Sequence, residues 1–370
     1  MKEQRVRSVL ERMDALGLSQ ILVTDPVSIL YLTGIWIDAE ERLVALYLRR
    51  DGTACLFVNA MFHVPANPGV EVVRFADTDP YLDLLAQRIN PEAVLGVDKN
   101  LLTRYFLPLL NRHCAAGYTD GSVCVDGARA VKDAEEQEAM CRISQINDQA
   151  MARFRELLKP GVTERAVANQ MREIYQELGA DDQAFPPSVC FGANAARGHY
   201  RCGDVPLQEG ACILMDVGCR KDGYCADMTR TFFCGSVSPE HRRIYQLVLQ
   251  ANEAAEAMIR PGVPLRDLDA AARNVIEAGG YGRYFTHRLG HFIGLSVHDA
   301  GDVSSASEAV AQPGNVFSIE PGIYLDGDVG VRIEDLVLVT EDGCRILNRY
   351  PKELQIIEAF GFPENRNHRE

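Results

Sequence analysis

The spacing of apolar residues along the first part of the chain predicts a small α/β domain over residues 1–125. Val6, Leu10 and Met13 recur at helical spacing and predict an opening helix that ends at Gly17. Asp51-Gly52, between two apolar runs, is a strong hairpin signal. The pattern predicts strands at 20–24, 43–48, 54–58, 70–75 and 94–97 and further helices at 81–89 and 101–110.

The remaining residues, 126–370, carry a pattern that occurs twice. A helix begins at a capping-box-like Asp133 and stops at Pro160-Gly161, and its counterpart begins at Ser238 and stops at Pro261-Gly262. In each copy a second helix and two strands follow. Two halves related by a pseudo-two-fold axis and sharing one sheet are the simplest interpretation, because the unit is too long for a solenoid repeat.

Composition narrows the class of protein. A length of 370 residues favours two domains, and a net charge of −14 argues against a nucleic-acid or anionic-membrane surface. No apolar run is long enough to span a bilayer, and the charged N-terminus does not resemble a signal peptide. The 11 cysteines therefore indicate buried free thiols in a reducing compartment, so we expect a cytoplasmic protein.

The repeat selects four carboxylates. Asp216 and Asp227 of the first half correspond to Glu320 and Glu334 of the second half. Asp216 and Glu320 each end an apolar strand, where a carboxylate is costly unless it is paired or bound to a metal. Four converging acids cannot all ionise without a cation between them, which predicts a metal site. The alternative is four unrelated acids at strand ends, each salt-bridged or facing solvent.

Three of the 8 histidines lie between residues 287 and 298. Gly290 and Gly294 disfavour a helix here, so we expect an extended, closely packed segment. Imidazole can ligate a metal or shuttle protons, although each histidine could also be a hydrogen-bonded core residue. By symmetry, Asp227 and Glu334 would bridge two metal ions and Asp216 and Glu320 would each bind one of them, while His291 would complete the coordination sphere of one ion. Such an oxygen-rich set favours Mn²⁺ over a structural zinc.

Five motifs, in order and at fitting spacings, resemble the proline-specific dimetal peptidases of the pita-bread fold. The motifs are Met215-Asp216-Val217-Gly218, Ala226-Asp227-Met228-Thr229-Arg230-Thr231, His287 with Gly290-His291, Gly294 and His298-Asp299, Ile319-Glu320-Pro321-Gly322-Ile323-Tyr324, and Val331-Arg332-Ile333-Glu334-Asp335. That family comprises the Xaa-Pro dipeptidases, or prolidases, and the Xaa-Pro aminopeptidases. Residues 22–26 and 31–34 resemble the creatinase-like N-terminal domain of the same enzymes. The expected fold is therefore of the α+β class: a creatinase-like domain at 1–125 and a pita-bread catalytic domain at 126–370.

The resemblance implies the identity of the site residues. Its metal ligands would be Asp216, Asp227, His291, Glu320 and Glu334. The catalytic residues would be Glu320, His199, His287, His298 and Arg332. Leu289 and Tyr200 depart from the common pattern without removing a ligand, and they leave the shape of the substrate pocket open. The resemblance also implies a homodimer and two divalent ions, with Co²⁺ and Zn²⁺ as alternatives to Mn²⁺.

The expected function is hydrolysis of Xaa-Pro dipeptides by a metal-bridging hydroxide, with Glu320 as general base. Cleavage of N-terminal Xaa-Pro bonds in longer peptides is the first alternative, and the sequence leaves the choice open. A non-catalytic peptidase-like binding protein and a metal-free enzyme of the creatinase type are less favoured, because all five ligand positions carry ligand-capable residues. A methionine aminopeptidase would normally lack the first domain.

Overall fold

The computed structural model describes residues 1–198 and 200–358. The chain divides into two compact units, Met1–Ala130 and Val131–Glu370. Within the described residues, no helix has both the length and the apolar character that crossing a bilayer requires. The 11 cysteines are all free thiols, as the composition predicts.

The first unit is an α/β fold around one mixed sheet. Its helices are α1 Glu3–Ala15, α2 Pro26–Thr33, α3 Tyr81–Ala86, α4 Thr103–Asn111 and α5 Ser122–Ala130. Its strands are β1 Gln20–Val23, β2 Val44–Arg49, β3 Ala54–Asn59, β4 Glu71–Phe75, β5 Val94–Val97 and β6 Gly117–Asp120. They are ordered β4-β3-β2-β1-β5-β6; β2 is antiparallel to both of its neighbours, β1 and β3, and the other three pairs, β3-β4, β1-β5 and β5-β6, are parallel.

The apolar pattern located most of this unit correctly. All five predicted strands are present, and the Asp51-Gly52 hairpin joins β2 to β3 with Gly52 in the left-handed region. The prediction missed α2, α5 and β6. Strand β6 is half-buried or exposed along its length, so it lacks the apolar run that reveals a strand in sequence.

The described part of the second unit contains four long helices and several short sheets. The helices are α6 Ala134–Glu156, α7 Glu164–Glu177, α8 Pro239–Glu256 and α9 Leu265–Ala278, with 3-10 turns at Gly192–Ala196 and Gly282–Tyr284. The strands are β7 Asp182–Gln183, β8 Ser188–Phe191, β9 Cys212–Val217, β10 Cys219–Lys221, β11 Tyr224–Cys225, β12 Met228–Cys234, β13 Gly290–His291, β14 Asp302–Val303, β15 Val316–Ile319, β16 Gly322–Leu325, β17 Val329–Arg332, β18 Asp335–Val339, β19 Cys344–Ile346 and β20 Gln355–Ile357.

The predicted repeat is present in the element order. Helices α6 and α7 precede the antiparallel pair β9 and β12, and helices α8 and α9 precede the antiparallel pair β15 and β18. The capping box at Asp133 and the Ser238 cap are both formed. Gly161 and Gly262 occupy the same left-handed conformation, φ 84° in each, where the chain turns between the paired helices.

The prediction that both halves share one sheet is wrong. Strands β9 and β12 belong to a four-stranded sheet ordered β20-β12-β9-β8, whereas β15 and β18 form a separate three-stranded sheet with β19. The two sheets meet where the Glu334 N–H donates to the Thr229 carbonyl at 3.1 Å. The strand ends that carry the acids therefore approach one another without continuous backbone hydrogen bonding between the two sheets. Side chains can occupy the space between them.

Candidate metal centre

Each predicted ligand lies at or beside the end of a strand in the second unit. Asp216 is on β9, Asp227 lies between β11 and β12, His291 ends β13, Glu320 follows β15, and Glu334 lies between β17 and β18. Three of these residues, Asp227, His291 and Glu334, are at most 4 % exposed. Asp216 and Glu320 are partly exposed, so two of the four carboxylates are fully in the interior.

Distances between the side-chain atoms show which of the predicted ligands lie close together. One ligand atom from each of Asp227, His291 and Glu334 lies within 4.8 Å of the others. His291 Nε2 is 3.7 Å from Asp227 Oδ2 and 3.6 Å from Glu320 Oε1. Asp216, in the first half of the repeat, accepts a hydrogen bond at its Oδ2 from Arg332 Nη2 of the second half at 2.6 Å.

The acids destabilise one another when no cation is bound. Burial first, and then the charges of Glu334, Asp216 and Glu320, raise the pKa of Asp227 well above its usual value. Burial likewise raises the pKa of Glu334 well above normal and that of Glu320 to about 7. Asp227 Oδ1 is buried and has no hydrogen-bond partner among the described residues. Divalent cations fit this donor set, because they would supply the positive charge that the acids lack.

His291 presents the correct nitrogen for a ligand. Its Nδ1 lies 3.2 Å from the Phe292 carbonyl, which can only accept, so the ring proton is on Nδ1 and the lone pair is on Nε2. Burial, followed by the charge of His298, lowers the pKa of His291 to about 3. The imidazole is therefore neutral near pH 7, which is the protonation state that binds a metal.

The segment that carries His291 is closely packed, as the two glycines predict. A Cβ at Gly290 would collide with the Ser318 carbonyl, so β13 can lie this close to β15 only with glycine there. Asp269 on α9 accepts the Leu289 N–H at 3.1 Å and forms an ion pair with Arg273. These contacts fix the backbone on the N-terminal side of His291.

Arg332 connects the two halves of the site through three hydrogen bonds. Its guanidinium donates to Asp216 Oδ2 at 2.6 Å, to Thr229 Oγ1 at 3.0 Å and to the Tyr324 hydroxyl at 3.0 Å. Thr229 Oγ1 in turn donates to Glu334 Oε2 at 2.7 Å. Arg332 therefore neutralises one acid directly and orients a second acid through Thr229.

His287 lies one step further from the acids. Its Nδ1 is 2.7 Å from the Arg288 carbonyl, and its Nε2 is 2.9 Å from the Tyr324 hydroxyl. Because the carbonyl only accepts, Nδ1 carries the proton and Nε2 accepts from Tyr324. Burial and the charge of Arg332 lower the pKa of His287 to about 4, so the ring is neutral.

The remaining two predicted histidines differ in position. The His298 ring stands nearly perpendicular to that of His291, with 4.3 Å between the ring centroids, and the residue is exposed to solvent. His199 lies outside the described residues, so its predicted role over the site stays a prediction. Arg332 therefore contacts the acids directly, His298 packs against His291, and His287 reaches the acids only through Tyr324 and Arg332.

Sequence reasoning assigned no role to three residues that contact the proposed ligands or the residues around them. Thr229 holds Glu334, Ser318 Oγ donates to Glu320 Oε1 at 3.2 Å, and Tyr324 joins His287 to Arg332. Thr229 and Tyr324 lie inside the recognised motifs. Ser318 stands two residues before Glu320, so strand alternation places both side chains on one face.

Comparison with known proteins agrees with this geometry. Residues 138–341 match the model of metallopeptidase family M24, and residues 5–131 match the creatinase/prolidase N-terminal domain. This chain belongs to metallopeptidase family M24. The match confirms the predicted resemblance, the pita-bread fold with its creatinase-like first domain, and a metal-dependent peptidase. Membership of this family implies divalent metal cofactors.

Several relatives align over nearly the whole chain. An uncharacterized peptidase of Staphylococcus aureus (strain MSSA476) is 35 % identical over 351 residues, covering 94 % of this chain and 99 % of the relative. The dipeptidase PepE from Mycobacterium ulcerans is 32 % identical with a TM-score of 0.90, covering 96 % of this chain and 98 % of that protein. The prolidase from Pyrococcus horikoshii OT3 is 28 % identical with a TM-score of 0.88, covering 95 % and 99 %.

Proposed function

We propose that this M24 metallopeptidase hydrolyses Xaa-Pro dipeptides with two divalent ions held by Asp216, Asp227, His291, Glu320 and Glu334. The observation that carries the proposal is the convergence of Asp227, Glu320 and Glu334 on His291, with Asp216 paired to Arg332 beside them. Arg332 is the cation that contacts Asp216, and one arginine does not balance four acids. An oxygen-rich set of this kind favours Mn²⁺, with Co²⁺ and Zn²⁺ as alternatives.

The metal pair, when bound, would activate a water molecule near neutral pH and polarise the scissile carbonyl. Glu320 is the proposed general base, because its carboxylate points into the cluster beside His291. It would accept a proton from the attacking water as the new C–O bond forms. It would then deliver that proton to the proline nitrogen as the C–N bond breaks.

Arg332, His287 and His298 are assigned supporting roles. Arg332 holds Asp216 and, through Thr229, Glu334 in fixed orientations. Both ring nitrogens of His287 are already engaged, so His287 would act by orienting the Tyr324 hydroxyl toward Arg332. His298 stands beside His291 with an exposed edge, from which it could hold the substrate backbone.

The substrate class rests on the chemistry of proline and on the relatives. A bond to proline lacks the N–H that many peptidases recognise, so a dedicated enzyme must accept the ring and the restricted residue before it. Structural neighbours that cover nearly the whole chain bear the names dipeptidase and prolidase. We extend that activity to this chain and retain the homodimer and the cytoplasmic location as predictions.

Hydrolysis assays on metal-free and metal-loaded protein test the proposal. We expect about two Mn²⁺ bound per chain and release of proline from a panel of Xaa-Pro dipeptides, abolished by a chelator and restored by Mn²⁺. Peptides of three or more residues with proline second form the comparison. Cleavage confined to these longer peptides would replace the dipeptidase with an aminopeptidase. No cleavage in either series by metal-loaded protein would refute proline-specific hydrolysis.

A further inference from the structure

Two fully buried asparagines stand at equivalent positions of the two halves. Asn147 lies fourteen residues after the N-cap Asp133 of α6, and Asn252 lies fourteen residues after the N-cap Ser238 of α8. Both side chains are 0 % exposed. A buried amide is costly unless it is hydrogen-bonded, so each asparagine needs a structural reason for its place in an apolar helix face.

Both amides donate to backbone carbonyls next to proposed metal ligands. Asn252 Nδ2 donates to the Ile319 carbonyl at 3.0 Å and approaches that of Ile333 at 3.5 Å. Ile319 directly precedes Glu320, and Ile333 directly precedes Glu334. One side chain on α8 therefore contacts both of the segments that carry the glutamates.

Asn147 makes the corresponding contact in the first half. Its Nδ2 donates to the Val217 carbonyl at 3.2 Å, and Val217 directly follows Asp216. The two contacts are equivalent in the repeat but not identical. The Val217 carbonyl follows Asp216, whereas the Ile319 and Ile333 carbonyls precede Glu320 and Glu334. In both halves a helix thereby fixes the end of the strand that bears the ligand.

A second donor fixes the orientation of each amide. Lys352 Nζ donates to Asn252 Oδ1 at 2.7 Å, and the Tyr175 hydroxyl donates to Asn147 Oδ1 at 2.6 Å. An ammonium group cannot accept a hydrogen bond, and neither can the N–H side of an amide. The oxygen of Asn252 must therefore face Lys352, and its NH₂ must face the strand carbonyls.

We propose that Asn147 and Asn252 are positioning residues for the metal centre, one in each half. They fix the backbone segments that carry Asp216, Glu320 and Glu334. The proposal rests on the ligand set of the proposed function. Outer contacts of this kind hold ligand atoms at the geometry that a metal requires, and their loss typically weakens metal affinity about 10–100-fold. Asn147→Leu and Asn252→Leu should therefore weaken Mn²⁺ binding by that factor.

The test measures metal affinity and coordination rather than turnover. Titration calorimetry gives the Mn²⁺ dissociation constants, and the visible spectrum of the Co²⁺-loaded protein reports the coordination geometry. Val248→Ala is the matched control, because Val248 is fully buried on the same helix, one turn before Asn252. This variant should lose stability and keep the wild-type Co²⁺ spectrum and Mn²⁺ affinity.

Tyr175→Phe decides the question if the leucine variants do not fold. It removes only the hydroxyl that orients Asn147, and it should weaken Mn²⁺ binding and alter the Co²⁺ spectrum. Its control is Tyr47→Phe in the first unit, where a buried tyrosine hydroxyl donates to the Gln20 side-chain oxygen at the same 2.6 Å. The control should bind Mn²⁺ as the wild type does.

Two results would overturn the inference. One is wild-type Mn²⁺ affinity and an unchanged Co²⁺ spectrum in the folded asparagine variants or in Tyr175→Phe. The other is an equal loss of affinity in the matched controls, which would show that general destabilisation is the cause. A wild-type protein that binds no stoichiometric metal would instead refute the proposed ligand set, so the two failures are distinguishable.

Discussion

The acidic cluster should make the metal-free protein less stable than it would be with one acid removed. In the absence of a cation, burial and the neighbouring carboxylates hold the pKa of Asp227 far above its unfolded value. Below the unfolded pKa, an acid with a raised folded pKa is protonated in both states and folding bears no cost. As the pH rises from the unfolded pKa toward the folded pKa, the unfolded chain releases the proton first and the folded protein loses stability. Asp227→Asn removes this pH-dependent cost while nearly preserving the shape of the side chain.

The expected size follows from the titration of aspartate. An unfolded aspartate titrates near pH 3.9, and one pKa unit corresponds to about 1.4 kcal/mol. The three units between that value and pH 7 set a ceiling of about 4 kcal/mol on the gain from Asp227→Asn at neutral pH. Coupling to Glu334 and Glu320 shares the cost among the acids, so the measured gain should fall below this ceiling.

Urea denaturation of chelator-treated protein at pH 5 and pH 7.5 measures the effect. Asp227→Asn should raise the free energy of unfolding, and more at pH 7.5 than at pH 5. In the presence of Mn²⁺ the order should reverse, because the wild type gains binding energy that the variant has lost. A metal-free Asp227→Asn protein that is less stable than the wild type at pH 7.5 would refute the reasoning.

Asp335→Asn is the control of opposite sign. Asp335 is also fully buried, but Arg230 and Lys352 lie 2.6 Å and 2.8 Å from its oxygens. Burial alone would raise its pKa, yet these two cations outweigh burial and lower the pKa overall. Its stabilising effect is present above the unfolded pKa and lost as the pH falls, so Asp335→Asn should destabilise the protein at pH 7.5.

Three further outcomes are expected. Arg332→Lys removes the planar guanidinium that donates to three acceptors, so kcat/KM for a dipeptide substrate should fall about 10–100-fold. A fall of less than about threefold would contradict the assigned role of Arg332. Gly290→Ala places a methyl group against the Ser318 carbonyl and should cost about 1–3 kcal/mol in urea denaturation, whereas Gly343→Ala, which has open space around it, should be near neutral. His291→Ala should lose stoichiometric Mn²⁺ in metal analysis, and full retention would remove it from the ligand set.

The acids and the histidine cluster could be predicted from sequence because their signal is local. An acid at the end of an apolar run is conspicuous, and the repeat aligns two such acids at matching positions. The glycines beside His291 likewise point to close backbone packing, and the Ser318 carbonyl explains why. In each case a residue that is unusual for its local sequence pattern marks a position in the proposed site.

The contacts that orient the acids could not be predicted in the same way. Asn147 and Asn252 occupy buried helix positions, and a sequence pattern does not say which distant carbonyl an amide will reach. The shared sheet was predicted wrongly for a related reason. Strand order depends on contacts more than one hundred residues apart, and periodicity within each strand is the same whether the sheet continues or stops.

The same repeat accounts for one histidine rather than two in the proposed ligand set. The antiparallel bridge between Phe292 and Phe317 places His291 opposite Ser318, and Cys190 is the register partner of Leu214. Ser318 and Leu214 each lie two residues before a proposed ligand, so Cys190 occupies the first-half counterpart of the His291 position. Burial raises the pKa of the Cys190 thiol, which keeps it protonated and a poor ligand. A thiolate there would add a fifth negative charge to four acids, whereas a neutral imidazole adds a donor atom without adding charge.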